Sequence, residues 1–170
     1  PETLNHILQK CHRTHGRRVA RHNGVADFLK KGLEAKGYSV IAEPSLQGEN
    51  RMFKPDLVAF RYDKTLVIDA QVVTDGLDLD RAHQSKVEIY DRQDVRTILR
   101  RDFQAHENIE VVSATLNWRG IWSYQSVKRL IALGALSAND SNVVSARVVS
   151  SGVTGFRTFM FHTGFVGGIR

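Results

Sequence analysis

The apolar and polar positions of the chain fall into segments of two periods. From Arg21 to Lys36, Val25, Phe28, Leu29 and Leu33 recur at intervals of three and four. That spacing predicts a helix with one apolar stripe, and Gly37 is placed to end it. On the same wheel Arg21 and His22 fall near the apolar edge, whereas Asp27 and Glu34 point away. Residues 38–42, YSVIA, read as a short strand closed by Glu43 and Pro44, and a polar loop, SLQGENR, follows. Leu57 to Phe60 predict a second strand, Tyr62 to Lys64 a turn, and Leu66 to Val73 a third strand. A period of two puts Val67, Asp69, Gln71 and Val73 on one face, with Leu66, Ile68, Ala70 and Val72 on the other.

After an Asp- and Gly-rich loop, TDGLD, one helix is expected from Leu79 to about Leu99. Ala82, His83, Lys86 and Tyr90 share a stripe of it. The stripe is partly polar where a sheet-packing face is normally apolar. Val87, Ile89, Val95, Ile98 and Leu99 offer other apolar contacts, so a solvated stripe stays open as an alternative. Residues 109–114, IEVVSA, predict a fourth strand, and Trp118 and Trp122 frame a turn. A helix from Ser123 to Leu133 follows, stopped by Gly134. Beyond Ser137 the segment ANDSN reads as a linker and Val143 to Val149 as a strand. The tail FRTFMFHTGFVGGIR reads as an edge hairpin or a poorly ordered end. This order of elements is that of an α/β sandwich built on one mixed central sheet flanked by helices, and 170 residues suffice for one well-buried domain.

Composition narrows the functional classes. No run approaches the length of a membrane span, so no membrane partner is expected. A single cysteine, Cys11, excludes an internal disulfide framework. The net charge of +6 and pI of about 9.7 suit a polyanionic partner, and Lys10, Arg13, Arg17, Arg18 and Arg21 crowd one short segment. Nucleic acid leads, with a generic basic surface as the plain alternative.

Two carboxylates carry the chemistry. Asp69 lies in an otherwise apolar strand, where a charge is costly unless it binds something. Asp56 follows Pro55 at the mouth of the preceding strand, with twelve residues between it and Asp69. Carboxylates from adjacent strands can share a divalent ion, and a lysine on the packed helix can reach the same place to act on water or phosphate. The plain alternatives are a Pro-Asp turn for Asp56, an ion pair for Asp69 and a solvent-facing chain for Lys86. His22 and Glu43 are second-rank candidates for a metal or DNA contact; His83 and Tyr90 either line the site or merely pack. Separately, His6 and Cys11 have the spacing of the second half of a zinc knuckle. Four ligands are needed, the others coming from His12, His15 or His22, or from residues preceding Pro1. A lone cysteine with scattered histidines is otherwise a small core residue.

Lys54-Pro55-Asp56, the gap and Asp69 resemble the PD-(D/E)xK nuclease core of restriction-like endonucleases. The lysine usual two residues past the second acid is Gln71 here. In the endonuclease domain of site-specific non-LTR retrotransposons that insert into large-subunit ribosomal RNA genes, that lysine sits on the following helix, the position of Lys86 within AHQSKVEIY. HILQKCHRTHG with RHN, the EP after the strand, DAQVVTD and WRGIWS are similar to the same family. The resemblance covers about Leu4 to Gly134 and implies an enzyme: a Mg2+- or Mn2+-dependent DNA endonuclease within a reverse transcriptase polyprotein, nicking chromosomal DNA to prime reverse transcription. Asp56, Asp69 and Lys86 would be catalytic, with the two acids holding the metal. Arg17, Arg18, Arg21 and Lys54 would contact DNA, and His6 and Cys11 would be the last ligands of a Zn2+ knuckle. It further implies double-stranded DNA and the element RNA, through the rest of the polyprotein, as partners, and a nuclear location. The expected division is a knuckle remnant and basic linker at 1–20, the nuclease at 21–137 and an extension of unknown role at 138–170. The competing expectation is a non-catalytic nucleic-acid-binding domain that uses the basic N-terminal segment and its knuckle.

Overall fold

The computed structural model describes residues 3–164. Its elements in chain order are α1 (Leu4–Gln9), a 3-10 turn (His12–Thr14), α2 (His15–Glu34), β1 (Ser39–Ala42), β2 (Leu46–Gln47), β3 (Met52–Phe53), β4 (Leu57–Arg61), β5 (Lys64–Val73), α3 (Leu79–Tyr90), α4 (Gln93–Phe103), β6 (Ile109–Asn117), α5 (Tyr124–Ala132) and α6 (Ala138–His162). Four strands form one mixed sheet in the order β1-β4-β5-β6. β1, β4 and β5 are antiparallel neighbours, while β6 returns parallel to β5 after the α3–α4 crossover.

The alternation of apolar side chains decides what covers each face. Leu57, Ala59, Leu66, Ile68 and Ala70 pack with Val25, Leu29 and Leu33 of α2, Leu130 of α5 and Val144 and Val148 of α6. Val58 and Val67 turn the other way, onto Phe53, Tyr90, Val95, Ile98 and Leu99. Each fully buried aliphatic side chain contributes about 1.5–3 kcal/mol, so the central hairpin is held from both sides. A third cluster joins the chain's two ends: Ile7, Leu8 and Cys11 bury against Phe159 of α6. Among the described residues, Ile7, Leu8 and Cys11 ahead of α2 and Val144, Val148 and Phe159 of α6 thus lie in buried clusters.

Several expected elements change. α2 begins at His15 rather than Arg21, carried forward by the 3-10 turn. The helix expected from Leu79 to Leu99 breaks after Tyr90, so that α3 lies along the polar part of β5 while α4 folds Val95, Ile98 and Leu99 onto the Val67 face. Arg96 bonds Asp91 (2.6 Å) and the Ile109 carbonyl (2.9 Å), clamping that corner. β6 runs on to Asn117, because all nine of its residues pair with β5.

The largest difference is α6. The linker and the strand expected at Val143 to Val149 are one 25-residue helix. Its β-branched residues favour a strand locally, but Val144, Val148, Gly152, Gly155 and Phe159 recur at helical spacing and are buried. A capping box between Ser137 and Asp140 starts it. The last part of the tail, 165–170, lies outside the described residues. Among the described residues no helix is long and apolar enough to cross a membrane.

The turn that joins β6 to α5 is keyed to α6. Trp122 Nε1 donates to the Ser141 carbonyl (3.1 Å) and Ser145 Oγ donates to the Gly120 carbonyl (2.7 Å). Gly120 has φ +78°, and a Cβ there would meet Ser145 O at 2.9 Å. Gly134 has φ +74° but faces open space. Gly120→Ala should therefore lower the unfolding free energy by about 2 kcal/mol or more, and Gly134→Ala by about 1 kcal/mol. Urea titration of the two variants checks the order.

Candidate active site

The β4–β5 hairpin places the two acids. Arg61 faces Lys64 across the turn and Leu57 faces Ile68 at the far end. The ladder ends there, with Asp56 immediately before Leu57 and Asp69 immediately after Ile68. Glu43, with φ +49°, donates its N–H to the Asp56 carbonyl (2.8 Å) and fixes the chain where the first acid begins. The Asp56 carboxylate accepts from Ala70 N (2.6 Å) and from His22 Nε2 of α2 (3.2 Å), which also reaches the Ala70 carbonyl (3.0 Å).

Asp69 is 5% exposed. Two residues one turn apart on α3 grip it: Lys86 Nζ stands 2.8 Å from Oδ2 and the Tyr90 hydroxyl 3.0 Å from Oδ1. The ammonium is close enough for ion pairing but makes no aligned hydrogen bond, so Oδ2 is buried without one. The Tyr90 hydroxyl also lies 3.0 Å from the Lys54 carbonyl. It has one proton for two acceptors, and a protonated Asp69 would resolve the conflict by donating to Tyr90. Burial does push the Asp69 carboxyl above its ordinary range, with the Asp56 charge adding to it and Lys86 opposing it. Burial also raises the Tyr90 phenol, so it stays a donor at neutral pH.

α3 faces the sheet with its polar stripe, and a network of bonds holds it there. Gln71 Nε2 donates to the Ala82 carbonyl (3.0 Å) and to Thr115 Oγ1 (2.7 Å). Thr115 Oγ1 lies 2.7 Å from Ser113 Oγ, which is 2.8 Å from His83 Nδ1. His83 is thus a buried packing residue, its pKa lowered chiefly by burial. Ser113 and Thr115 were not singled out by sequence, and Gln71 only as the residue two past Asp69 where a lysine was looked for. Their signal was there: Ser113 and Thr115 pair in register with Asp69 and Gln71, so polar positions alternate on the same face of both strands.

The basic residues divide. An open groove beside the acids, between α2 and α3, is lined by Arg18, Arg21, His22, Gln71 and Lys86. Arg18 bonds the Gln9 carbonyl and His15 Nδ1 (3.1 Å), and exposed Arg17 bonds Thr158 Oγ1 (3.1 Å). Arg21, expected at the DNA surface, is instead 5% exposed and donates to the Leu8 carbonyl (2.9 Å). An arginine near the apolar edge of α2 was drawn inward once α1 and α6 covered that edge. The Lys54 side chain is exposed, and the Glu43 side chain likewise.

His6 and Cys11 are brought together by the end of α1, where Cys11 N donates to the His6 carbonyl (2.9 Å). Cys11 is buried among Ile7, Leu8 and Phe159. Among the described residues no group of three or more His, Cys, Asp or Glu is arranged to hold a metal ion.

Fold and site together define a mixed α/β domain with a buried acid–lysine pair at the end of its central hairpin. No protein-family model matches the chain. It is 59% identical over 97% of its length to the Pol polyprotein from the type-2 retrotransposable element R2DM of Drosophila melanogaster. It is 30% and 35% identical, over 94% and 89% of its length, to the Pol polyproteins from type-1 retrotransposable elements R2 of Nasonia vitripennis and Bradysia coprophila. The chain's homologues are therefore retrotransposon Pol polyproteins, and it spans only 16–17% of the length of these three.

Two measurements follow from the electrostatics. The hydrogen bond to Asp56 raises the His22 pKa to about 9, against about 6.5 unfolded. The pair's stabilisation is therefore full below about pH 6.5 and lost as pH rises through 9. His22→Gln should flatten the pH dependence of unfolding in that window. Asp69 binds its proton more tightly folded than unfolded, so stability falls as pH rises above its unfolded value, and ionised Asp69 destabilises the fold at neutral pH. Asp69→Asn should raise Tm, at about 2–4 °C per kcal/mol relieved; calorimetry at pH 7 reads it, and a lowered Tm contradicts the assignment.

Proposed function

We propose that the chain is the DNA-cleaving part of an R2-type Pol polyprotein. It is a metal-dependent endonuclease with a PD-(D/E)xK core that nicks chromosomal DNA in the nucleus, leaving an end from which reverse transcription is primed. The observation that carries this reading is the meeting of Asp56, Asp69 and Lys86: the first acid bonded to the backbone N–H of Ala70, next to the second, and an ammonium from the next helix 2.8 Å from the second.

The donor set suits Mg2+ or Mn2+. Such ions are commonly held by one or two carboxylates, with water and substrate phosphate completing the shell. Asp69 Oδ2, buried without an aligned hydrogen bond, is the atom best placed to serve. When bound, the ion supplies an acidified water and charge for the phosphate. Asp56 and Asp69 would hold it, with Tyr90 fixing the second carboxylate. Lys86 presents a proton donor to the phosphate or the attacking water. Arg17, Arg18 and Lys54 offer charge to the DNA backbone, and element RNA is engaged through the rest of the polyprotein. Zn2+ belongs to this reading only if His6 and Cys11 gain ligands from outside the segment.

The test is nicking of supercoiled plasmid. Cleavage should require Mg2+ or Mn2+ and stop with EDTA. Asp56→Ala, Asp69→Asn and Lys86→Ala should each lower the rate by about 10²-fold or more while leaving duplex binding within about threefold. Full nicking by Asp69→Asn would sink the assignment. Metal-independent binding without nicking would favour a nucleic-acid-binding module instead.

A further inference from the structure

The basic half of α2 and the C-terminal helix lie side by side and run antiparallel. Arg17 meets Thr158 near one end, and near the other the Arg147 guanidinium sits 4.9 Å over the Phe28 ring. The acids of this pair are confined to one end: Asp27 and Glu34 in α2, and Asp140 in the first turn of α6. Between Thr3 and Ala26, and again between Ser141 and Gly164, there is no Asp or Glu. The same stretches carry Arg13, Arg17, Arg18, Arg21, Arg147 and Arg157, of which Arg13, Arg17, Arg147 and Arg157 are exposed.

Arg21 sits at the centre of this face. It is buried, its Nε has no hydrogen-bond partner, and among the described residues no carboxylate pairs with it. Burial and the neighbouring Arg18 lower its pKa, yet a guanidinium remains a cation. A buried charge without a counter-charge is costly to fold. Two grooves meet over it: the one that holds His22, Gln71 and Lys86, and one between α2 and α6 lined by Gly24, Arg147 and Ser151. A polyanion spanning both would provide the missing counter-charge.

We infer that α2 and α6 together form a second contact surface for the phosphate backbone of duplex DNA, so that the duplex continues from the acids across α2 onto α6. The choice of duplex DNA rests on the proposed nuclease function, whereas the binding itself needs neither metal nor cleavage. From Arg17 to Phe28 α2 rises about 16 Å, roughly half a turn of duplex.

Fluorescence anisotropy in EDTA, with a duplex of roughly 21 base pairs (about two turns), tests this without the chemistry. The Arg147→Gln, Arg157→Gln double variant should bind about tenfold more weakly. Its plot of log affinity against log salt should be shallower by about 2, close to 0.9 per lost phosphate contact. The corresponding double Lys variant should recover the slope. Arg21→Met should melt higher than the parent without DNA and gain less Tm when DNA is added. Unchanged affinity and slope in the double Gln variant overturn the proposal, as does a loss seen only with single-stranded RNA. Loss of nicking alone, with these binding results intact, counts against the nuclease reading and not against this surface.

Discussion

A carboxylate sits where an apolar side chain would be cheapest, in the interior of a strand paired on both sides. Much of the local architecture answers to that one placement of Asp69. α3 must present Lys86 and Tyr90 to it, so its inward stripe is polar, and it must stop at Tyr90 so that α4 can close the apolar core beside it. Ser113 and Thr115 then occupy the same face of β6, since α3 cannot offer them hydrocarbon. The Tyr90 hydroxyl bonds one Asp69 oxygen and the partly exposed Lys86 ammonium stands against the other.

The hairpin and its acids were legible in the sequence because a period of two and a short turn fix register with little help from the rest of the chain. The expected turn, Tyr62 to Lys64, already put the two acids on adjacent strands; the observed register, with Arg61 facing Lys64, is one residue tighter. The break between α3 and α4 was not legible: it has no Gly or Pro, and residues on both sides keep helical spacing. α6 was hidden for the opposite reason. Its Val pairs carry a strand preference that burial against Leu8, Val25 and the sheet overrides. Arg21 was placed outside because arginines usually are; only the packing of α1 and α6 over α2 shows it enclosed.

Gln71, next to Asp69 on the same face of β5, ties the Ala82 carbonyl of α3 to Thr115 of β6. That bond helps to seat the helix that carries Lys86.

A lysine on β5 itself would inherit its distance to Asp69 from the strand's own geometry. Lys86 inherits it from tethers far along the chain: Gln71 to Ala82, Asp80 accepting from Ser123 Oγ (2.5 Å) and from Gln125 N (3.2 Å), and Ser113 to His83. The alignment of ammonium and carboxylate is then a tertiary quantity, only as firm as the docking of α3 on α5 and β6. Whatever presses on α3 or α5 from elsewhere in a longer polyprotein has a mechanical route to the site that leaves the hairpin untouched.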